Sequence, residues 1–530
     1  MDRDMYKSFA EMMRHTSMNV IWGLKSLFYD YLSAGLIDES DAFQSTSTVD
    51  SSGELKPGQQ ELYSYQAPGF VKRGPNGERL VCRQKCFMQG RIDATHGFDA
   101  NFTNILTKCA HFYPTLWDQK VLVYHDTKHV GTTASLDVII QEGHAAVRDG
   151  LDSEPQQPPR GWAILGQHVD DSMALATGVL DPTHNRILQF VKGCISVTYA
   201  CKLTGWHGNK MLGFDMILDD NLRTVNITAQ GTYQALRARL ITDHAVKITP
   251  RHIVTEAVYE PSPGEAPSDG DPTKAEYLDR QSLTRSALGA GIWLSQAYPQ
   301  ITSGINAMCQ DMANPSDARL AQLKHMFMYL GEKPVGKTFG GPAVAGCLHS
   351  DDEIAPFTIG KKAGYYHYFS DASINLTGGV GLFAGCCIQL LSLRQHLKAP
   401  EAHTSELVAA GTNLHAMLPV NGLMQELGIR LGLPTKMYFD SKSTVFVASS
   451  DAAPKKSVWL TRRNKVITEA VQHSECKPMH ISENDMVADS ATKYIKHEKF
   501  LRHMHYVQNK PGDPAGCSPS GSMAVANQSD

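Results

Sequence analysis

The chain has 530 residues, of which 42% are apolar and 20% charged, with a formal net charge of −4. That length accommodates two to four domains with separate cores, and these proportions are those of ordinary globular protein. The slight negative charge excludes a grip on polyanions through bulk charge, so any such grip needs local gathering of Lys and Arg. Candidate stripes are Lys72-Arg73, Arg83 to Lys85, Arg237 to Arg251, Lys361-Lys362 and Lys455 to Lys465, each equally readable as a solvated face. The 11 cysteines are scattered without CxxC pairs, a reducing-compartment pattern with no disulfide framework. His497, His503 and His505 lack an HExxH-like spacing, which argues against a histidine metal site. No run reaches ~18 consecutive apolar residues, and the opening MDRDMYKSF has no apolar signal-peptide core. The expectation is an intracellular protein without a membrane span.

In chain order, residues 1–245 alternate short strand-like and helical runs. QQELYSYQAPGFVKRGPNGERLVCRQ places a Gly74-Pro75-Asn76-Gly77 turn between two strands. After a loop at 152–159, GWAILGQHVDDSMALATG has strand-like residues on both sides of Asp170-Asp171, which predicts an acidic hairpin tip. Residues 260–276, EPSPGEAPSDGDPTKAE, read as a flexible or irregular connector rather than core. The stretch 277–332 reads as helical, ending in a helix with Leu320, Leu323, Met326, Met328 and Leu330 near helical spacing and Ser316 or Asp317 as its N-cap.

Residues 363–508 form a compact α/β pattern. YYHYFSDAS is a strand, GGVGLFAGCCIQLLSL supplies one or two more, and the adjacent Cys386-Cys387 is core. Gly378-Gly379-Val380-Gly381 lacks the Lys-Ser/Thr of a phosphate loop and reads as a strand turn. Thr404 or Ser405 is the expected cap of a helix carrying Leu407, Ala410, Leu414 and Met417. KMYFD is a further strand and WLTRRNKVITEAV a basic helix containing Arg462, Arg463 and Lys465. Beyond about 509 the chain is Pro/Gly/Ser-rich and expected to be disordered. The expected boundaries are therefore 1–245, 246–362 including the 260–276 linker, 363–508, and a 509–530 tail.

Four acids in this last third carry the chemistry: Asp371, Glu406, Asp440 and Asp489, each at the edge of a strand-like or helix-like run. Carboxylates that converge repel one another unless a positive charge sits among them, and hard oxygen ligands suit divalent cations. Two such ions about 4 Å apart stabilise the attacking and leaving oxygens of a phosphodiester in in-line displacement.

The order and spacing of these acids resemble the ribonuclease H domain of copia-type retrotransposon polyproteins, with gaps of 35, 34 and 49 residues. The resemblance rests on Ser370-Asp371-Ala372, Thr404-Ser405-Glu406, Phe439-Asp440-Ser441 and Ala488-Asp489-Ser490-Ala491-Thr492-Lys493. Only the second Glu of the family's E-A-E helix start is kept, as Glu406. Upstream, the Tyr63 to Lys85 hairpin, His168-Val169-Asp170-Asp171 and the segment from Arg285 to Gly331 resemble the reverse transcriptase palm and connection of the same family. His168 replaces the tyrosine of the family's Y-V-D-D. Asp38-Glu39-Ser40-Asp41-Ala42-Phe43 resembles the family's D-x-x-x-A-F, and Met88-Gln89-Gly90 its nucleotide-side loop.

The resemblance implies a multidomain α+β and α/β architecture: a palm with partial fingers and a connection, followed by a ribonuclease H-like domain. It implies that Asp38, Asp170 and Asp171 bind metal for nucleotidyl transfer, with Phe43 excluding a 2′-hydroxyl and Gln89 beside the incoming nucleotide. It further implies that Asp371, Glu406, Asp440 and Asp489 bind metal for RNA hydrolysis. The implied cofactor is Mg²⁺ or Mn²⁺, two ions per active site. The implied partners are an RNA template, a DNA primer, an RNA–DNA hybrid and deoxynucleoside triphosphates. Only 37 residues precede Asp38, so the expectation is a fragment or decayed copy with truncated fingers, cytoplasmic in a virus-like particle or nuclear. Two alternatives stand beside it: ribonuclease H activity with a dead polymerase half, and a non-catalytic nucleic-acid-binding remnant. Oligomeric state is open.

Overall fold

The computed structural model describes residues 13–40, 63–65, 73, 75–76, 78, 80–83, 94–125, 159–241, 251–340, 366–373, 376–395, 401–429, 434–450 and 461–509. Phe43, Gln89, Lys361-Lys362, the 455–460 part of the basic run and the tail beyond 509 lie outside the described residues. So do the side chains of Arg462 and Arg463. The architecture is mixed α+β and divides into two compact units, Met1–Arg14 with Asp30–Gly205, and His15–Tyr29 with Trp206–Asp530. Among the described residues no helix is long and apolar enough to cross a membrane.

The first unit is built on a six-stranded antiparallel sheet. Its order is Tyr113–Pro114, Val121–His125, Trp162–His168, Asp171–Thr177, Leu32–Ser40, Ala200–Gly205. Side chains alternate across a sheet, so Ile37, Ala163, Leu165, Ala174, Ala176 and Leu203 share one face. Helices Ala94–Lys108 and Arg186–Ser196 cover that face with Phe98, Phe102, Leu188 and Val191. The second helix begins at Asn185, whose side chain accepts from the Ile187 and Leu188 N–H groups and satisfies two of the donors a helix start leaves open. The expected acidic hairpin forms: strands Trp162–His168 and Asp171–Thr177 pair antiparallel, with Val169 in a left-handed conformation at the turn. Strands Tyr63–Tyr65 and Val81–Arg83 pair around the expected Pro75-Asn76 turn.

The second unit holds two sheets. One has four strands in the order Lys337–Gly340, Thr224–Thr228, Phe214–Asp219, Lys210–Met211. Helices Gln230–Leu240, Lys274–Leu294, Thr302–Cys309 and Asp317–Leu330 accompany it, the last capped by Ser316 as the sequence suggests. Helix His15–Leu27 also belongs here and is buried from Ser17 to Leu27. Trp22 meets Phe214 and Phe339, and Asn19 donates to the Ile388 carbonyl.

The other sheet has five strands: Cys386–Arg394, Leu376–Phe383, His367–Ala372, Thr435–Phe439, Cys476–His480. The first three pair antiparallel and the last two join in parallel. The 25-residue helix Ala402–Glu426 packs across its centre.

Three local expectations need correction. Gly378-Gly379-Val380-Gly381 is mid-strand rather than a turn; the reversal comes later, at Ala384 and Gly385 with φ of 52° and 77°. The glycines serve close approach instead. A Cβ on Gly379 would stand 2.2 Å from Asn413 Oδ1, and one on Gly378 would stand 2.5 Å from the Thr492 methyl. Asn413 uses the space to donate to the Gly378 carbonyl and to Ser370 Oγ, both at 2.8 Å, fastening the long helix to the sheet.

Second, that helix starts at Ala402 after Glu401, so Thr404 and Ser405 lie inside its first turn. Ser405 Oγ instead donates to the Ser373 carbonyl at 2.6 Å, tying the helix start to the end of the Asp371 strand.

Third, residues 274–276 already belong to the helix Lys274–Leu294, while the rest of the 260–276 segment is irregular as expected and is fastened at its start. Arg319, buried in the helix Asp317–Leu330, pairs with buried Asp311. Its Nη1 donates to the Val258 carbonyl at 2.9 Å and its Nη2 to the Glu260 carbonyl at 2.6 Å. Gly264 N–H then donates to the Asn314 carbonyl. Removing one member of a buried ion pair leaves the other charge stranded, a loss of about 3–5 kcal/mol. Arg319→Met should therefore lower the urea-unfolding free energy by about that amount; a change under ~1 kcal/mol would show that this anchor is dispensable.

Candidate metal centre and its charge balance

In the first unit, Asp38 and Asp171 face each other across adjacent antiparallel strands. Alternation puts both on the sheet face opposite the two helices. Asp170 occupies the exposed hairpin turn, and its carbonyl accepts from Glu39 N–H at 3.1 Å. Lys202 stands opposite Asp38 on the neighbouring strand. Burial, with Asp170 and Asp38 nearby, pushes the Asp171 carboxyl up to about 6. Burial also holds the His168 imidazole below its ordinary value.

Glu39 is a residue the sequence reading passed over. Next to Asp38 it falls on the helix-covered face, level with Cys201, and is buried. Neither of its carboxyl oxygens finds a hydrogen bond among the described residues. Burial first, then Asp171, Asp170 and Asp38, raise its carboxyl well above the ordinary range. Period-two alternation from Ile37 was the available signal.

The second unit gathers the C-terminal acids more tightly. Asp371 lies near the end of strand His367–Ala372, and Asp440 directly follows its parallel neighbour Thr435–Phe439. Asp489 opens the short helix Asp489–Thr492, which packs on the glycine-bearing strand Leu376–Phe383. Carboxylate oxygens of Asp371, Asp440 and Asp489 all lie within 4.8 Å of one another. Among the described residues no other group of three or more His, Cys, Asp or Glu side chains meets this spacing. Glu406, in the first turns of the long helix, stands outside this trio but close enough to feel Asp371 and Asp440.

The electrostatics follow from burial. Asp371 and Asp489 are 1% and 0% exposed. Two like charges 4 Å apart repel by about 4 kcal/mol at an effective dielectric of 20, so the trio cannot stand ionised without compensation. Burial, with Asp489 the strongest neighbour, raises the Asp371 carboxyl, although Lys493 and a hydrogen bond from Thr492 Oγ1 oppose the shift. Burial and Asp489 raise Asp440 as well. Glu406 is pushed up to about 9 by burial, then Asp371 and Asp440, with partial relief from the Ala372 backbone.

Two lysines supply the positive charge. Lys493 Nζ lies 2.7 Å from Asp489 Oδ1 and 3.9 Å from Asp371 Oδ2. Lys499 Nζ lies 2.6 Å from Asp489 Oδ2. Burial depresses the Lys493 ammonium, but Asp371, Asp489 and Asp440 outweigh it and raise the group overall. Lys493 was visible in the sequence as an i,i+4 partner of Asp489; Lys499, ten residues from Asp489, carried no local signal.

This donor set fits a divalent cation. It offers hard oxygens only, three of them converging, and buried Glu406 Oε2 finds no hydrogen bond among the described residues. Asp38, Asp170 and Asp171 of the first unit offer the same donor type, with Asp38 and Asp171 in register.

Sequence comparison adds a likeness to this geometry. The retrovirus-related Pol polyprotein from transposon RE1 of Arabidopsis thaliana is 23% identical over 218 residues, and that from transposon RE2 is 21% identical over 218 residues. The chain resembles retrotransposon Pol polyproteins. Each match covers 41% of this chain but 14% of the relative, so the chain spans a small part of their length. No protein-family model matches it. Among solved structures, the foamy viral protease-reverse transcriptase in complex with RNA/DNA hybrid is 10% identical with a TM-score of 0.39, covering 85% of this chain and 44% of that one. The dRH form in complex with double-stranded DNA gives 11% and 0.40, covering 84% and 56%.

The raised carboxyls set a pH dependence for the protein in chelator. Between the ordinary Glu value of 4.5 and about 9, the folded chain keeps a Glu406 proton that the unfolded chain has released. Stability therefore falls as pH rises through this window, by up to about 1.4 kcal/mol per pH unit for one proton. Asp371 and Asp440 act in the same direction. Melting temperatures in EDTA should decline across that window and decline less in Glu406→Gln; a level or rising wild-type profile would contradict the charge assignment.

Proposed function

We propose that the chain is part of a retroelement Pol polyprotein with two nucleic-acid activities. The C-terminal α/β domain hydrolyses the RNA strand of an RNA–DNA hybrid, and the palm-like sheet adds deoxynucleotides to a primer. The observation that carries the first activity is the convergence of Asp371, Asp440 and Asp489 oxygens within 4.8 Å beside Glu406. The second is favoured by the Asp38–Asp171 register at the base of the Asp170 hairpin.

In the hydrolytic site, Asp371, Asp440, Glu406 and Asp489 would hold Mg²⁺ or Mn²⁺. Such ions, when bound, supply a hydroxide-like nucleophile and stabilise the departing oxygen. The chain's own residues prepare the place. Asp371 and Asp440 present their oxygens from neighbouring parallel strands, so the sheet fixes their separation. Thr492 Oγ1 donates to Asp371 Oδ2 and orients that carboxylate. Glu406 holds a proton on its carboxyl near neutral pH and releases it as positive charge gathers beside it. RNA specificity would come from 2′-hydroxyl contacts and groove shape.

In the palm-like site, Asp38, Asp170 and Asp171 would hold the ions that accompany a deoxynucleoside triphosphate, with Phe43 and Gln89 as the proposed nucleotide contacts. No side chain acts as a covalent nucleophile in this scheme; positioning and electrostatics do the chemistry.

A labelled RNA–DNA hybrid incubated with Mg²⁺ or Mn²⁺ tests the hydrolytic half. Wild-type protein should cut the RNA strand, and Asp440→Asn should lose at least about 100-fold, beyond the 10–100-fold typical of removing an outer-shell partner. Cutting by both proteins or by neither would overturn the assignment. Primer extension on an RNA template tests the other half: wild type should extend and Asp171→Asn should not. Hybrid cutting without extension by wild type would leave ribonuclease H as the sole activity.

A further inference from the structure

Asp489 is the most enclosed of the clustered acids, and each of its oxygens has a different lysine. Oδ2 meets Lys499 Nζ at 2.6 Å and Oδ1 meets Lys493 Nζ at 2.7 Å. The two lysines are not equivalent. Lys499 belongs to the helix His497–Val507, which is fastened along its length. His503 bonds the Asn484 carbonyl, Arg502 pairs with Asp485, and the following Gln508 donates to Gln300 and the Val335 carbonyl. The Lys499 side chain is 19% exposed, and among the described residues its ion pairs are with Asp489 and, at 4.0 Å, Glu483. Unlike Lys493, it is not among the charges that act on Asp371 or Asp440, so of the three converging acids it serves Asp489.

Lys493 sits at the C-terminal end of a four-residue helix with its side chain 39% exposed. Its ammonium is 2.7 Å from Asp489 and 3.9 Å from Asp371, and Asp440 is among the charges acting on it. It thus occupies the inner side, where a cation bound by the trio would have to sit. A single ammonium and a divalent ion cannot both take Asp489 Oδ1 at contact distance without strong repulsion.

We propose that Lys499 is a permanent positioning residue that holds Asp489 Oδ2, while Lys493 is a displaceable internal cation that must leave Oδ1 before a metal ion binds. Resting on the metal reading above, this division explains how a fully buried carboxylate stays oriented toward the trio with either cation present. Lys499 supports metal binding by fixing its ligand; Lys493 opposes it by competition, and in exchange stabilises the metal-free fold.

The opposite signs make the test. Mn²⁺ binding to the full chain is followed by titration calorimetry, the relevant sites being those lost in Asp440→Asn. Lys499→Met should weaken that binding at least about 10-fold, the lower end for removing an outer-shell partner, and Lys499→Arg should restore most of it. Lys493→Met should tighten it several-fold while lowering the melting temperature in EDTA. Lys493→Met binding no tighter than wild type would overturn the competitor role. Lys499→Met binding as wild type, or Lys499→Arg no better than a poorly folded Lys499→Met, would overturn the positioning role. If wild type shows no Mn²⁺ binding that Asp440→Asn removes, the metal reading itself falls and the division with it.

Discussion

Repulsion among Asp371, Asp440 and Asp489 is the constraint around which the second unit is arranged. Each like-charged pair at such distances opposes folding by about 4 kcal/mol at an effective dielectric of 20, against a total stability of about 5–15 kcal/mol for a typical domain. The fold meets that burden in two ways. It lets carboxyl groups such as Glu406 and Asp371 retain protons more strongly than they would in water, and it brings Lys493 and Lys499 against the deepest of them. Both devices are reversible, since a retained proton and an ion-paired ammonium can each leave without breaking a covalent bond. A well-packed apolar core in the same position would be as stable or more so, and chemically inert.

The scaffolding around these charges is stiff because strands and tight contacts supply it. Parallel pairing of the strands before Asp371 and Asp440 fixes one distance. Contact between Gly378 and Thr492 fixes another, since nothing larger than hydrogen fits between the strand and the helix that carries Asp489. Asn413 and Ser405 fasten the long helix at two points, so Glu406 is held from both sides. The six-stranded sheet of the first unit works on the same plan with less enclosure: register sets Asp38 against Asp171, and a two-residue turn exposes Asp170.

Much of this was legible along the chain because it is encoded locally. Strand-like runs on both sides of Asp170-Asp171 specified a hairpin, Ser316 or Asp317 marked a helix start, and the KMYF run specified the strand that Asp440 follows. Features set by distant partners were harder to read. The glycines at 378 and 379 suggest a bend to any local rule, yet their role depends on Asn413 and Thr492, far along the chain. Thr404 and Ser405 look like caps, but Ser405 is occupied by the Ser373 carbonyl. The 260–276 composition speaks of a loose linker, and no local pattern reveals that Arg319 gathers the Val258 and Glu260 carbonyls. Glu39 is the sharpest case: one position from Asp38 the pleat reverses, and a buried acid falls on the helix-covered face with no hydrogen bond to its carboxyl among the described residues.

Helix His15–Leu27 has a practical corollary for handling this protein in pieces. The chain visits the second unit for residues 15–29, then leaves it until Trp206. A fragment begun at residue 206 would lack Val20, Ile21, Trp22 and Leu24, all at most 1% exposed in the whole chain. Its vacated trough would present Phe214, Phe339 and Phe383 to water, an invitation to aggregate. Dissecting the second unit therefore calls for grafting this segment through a short tether, or adding it back as a synthetic peptide, rather than for simple truncation.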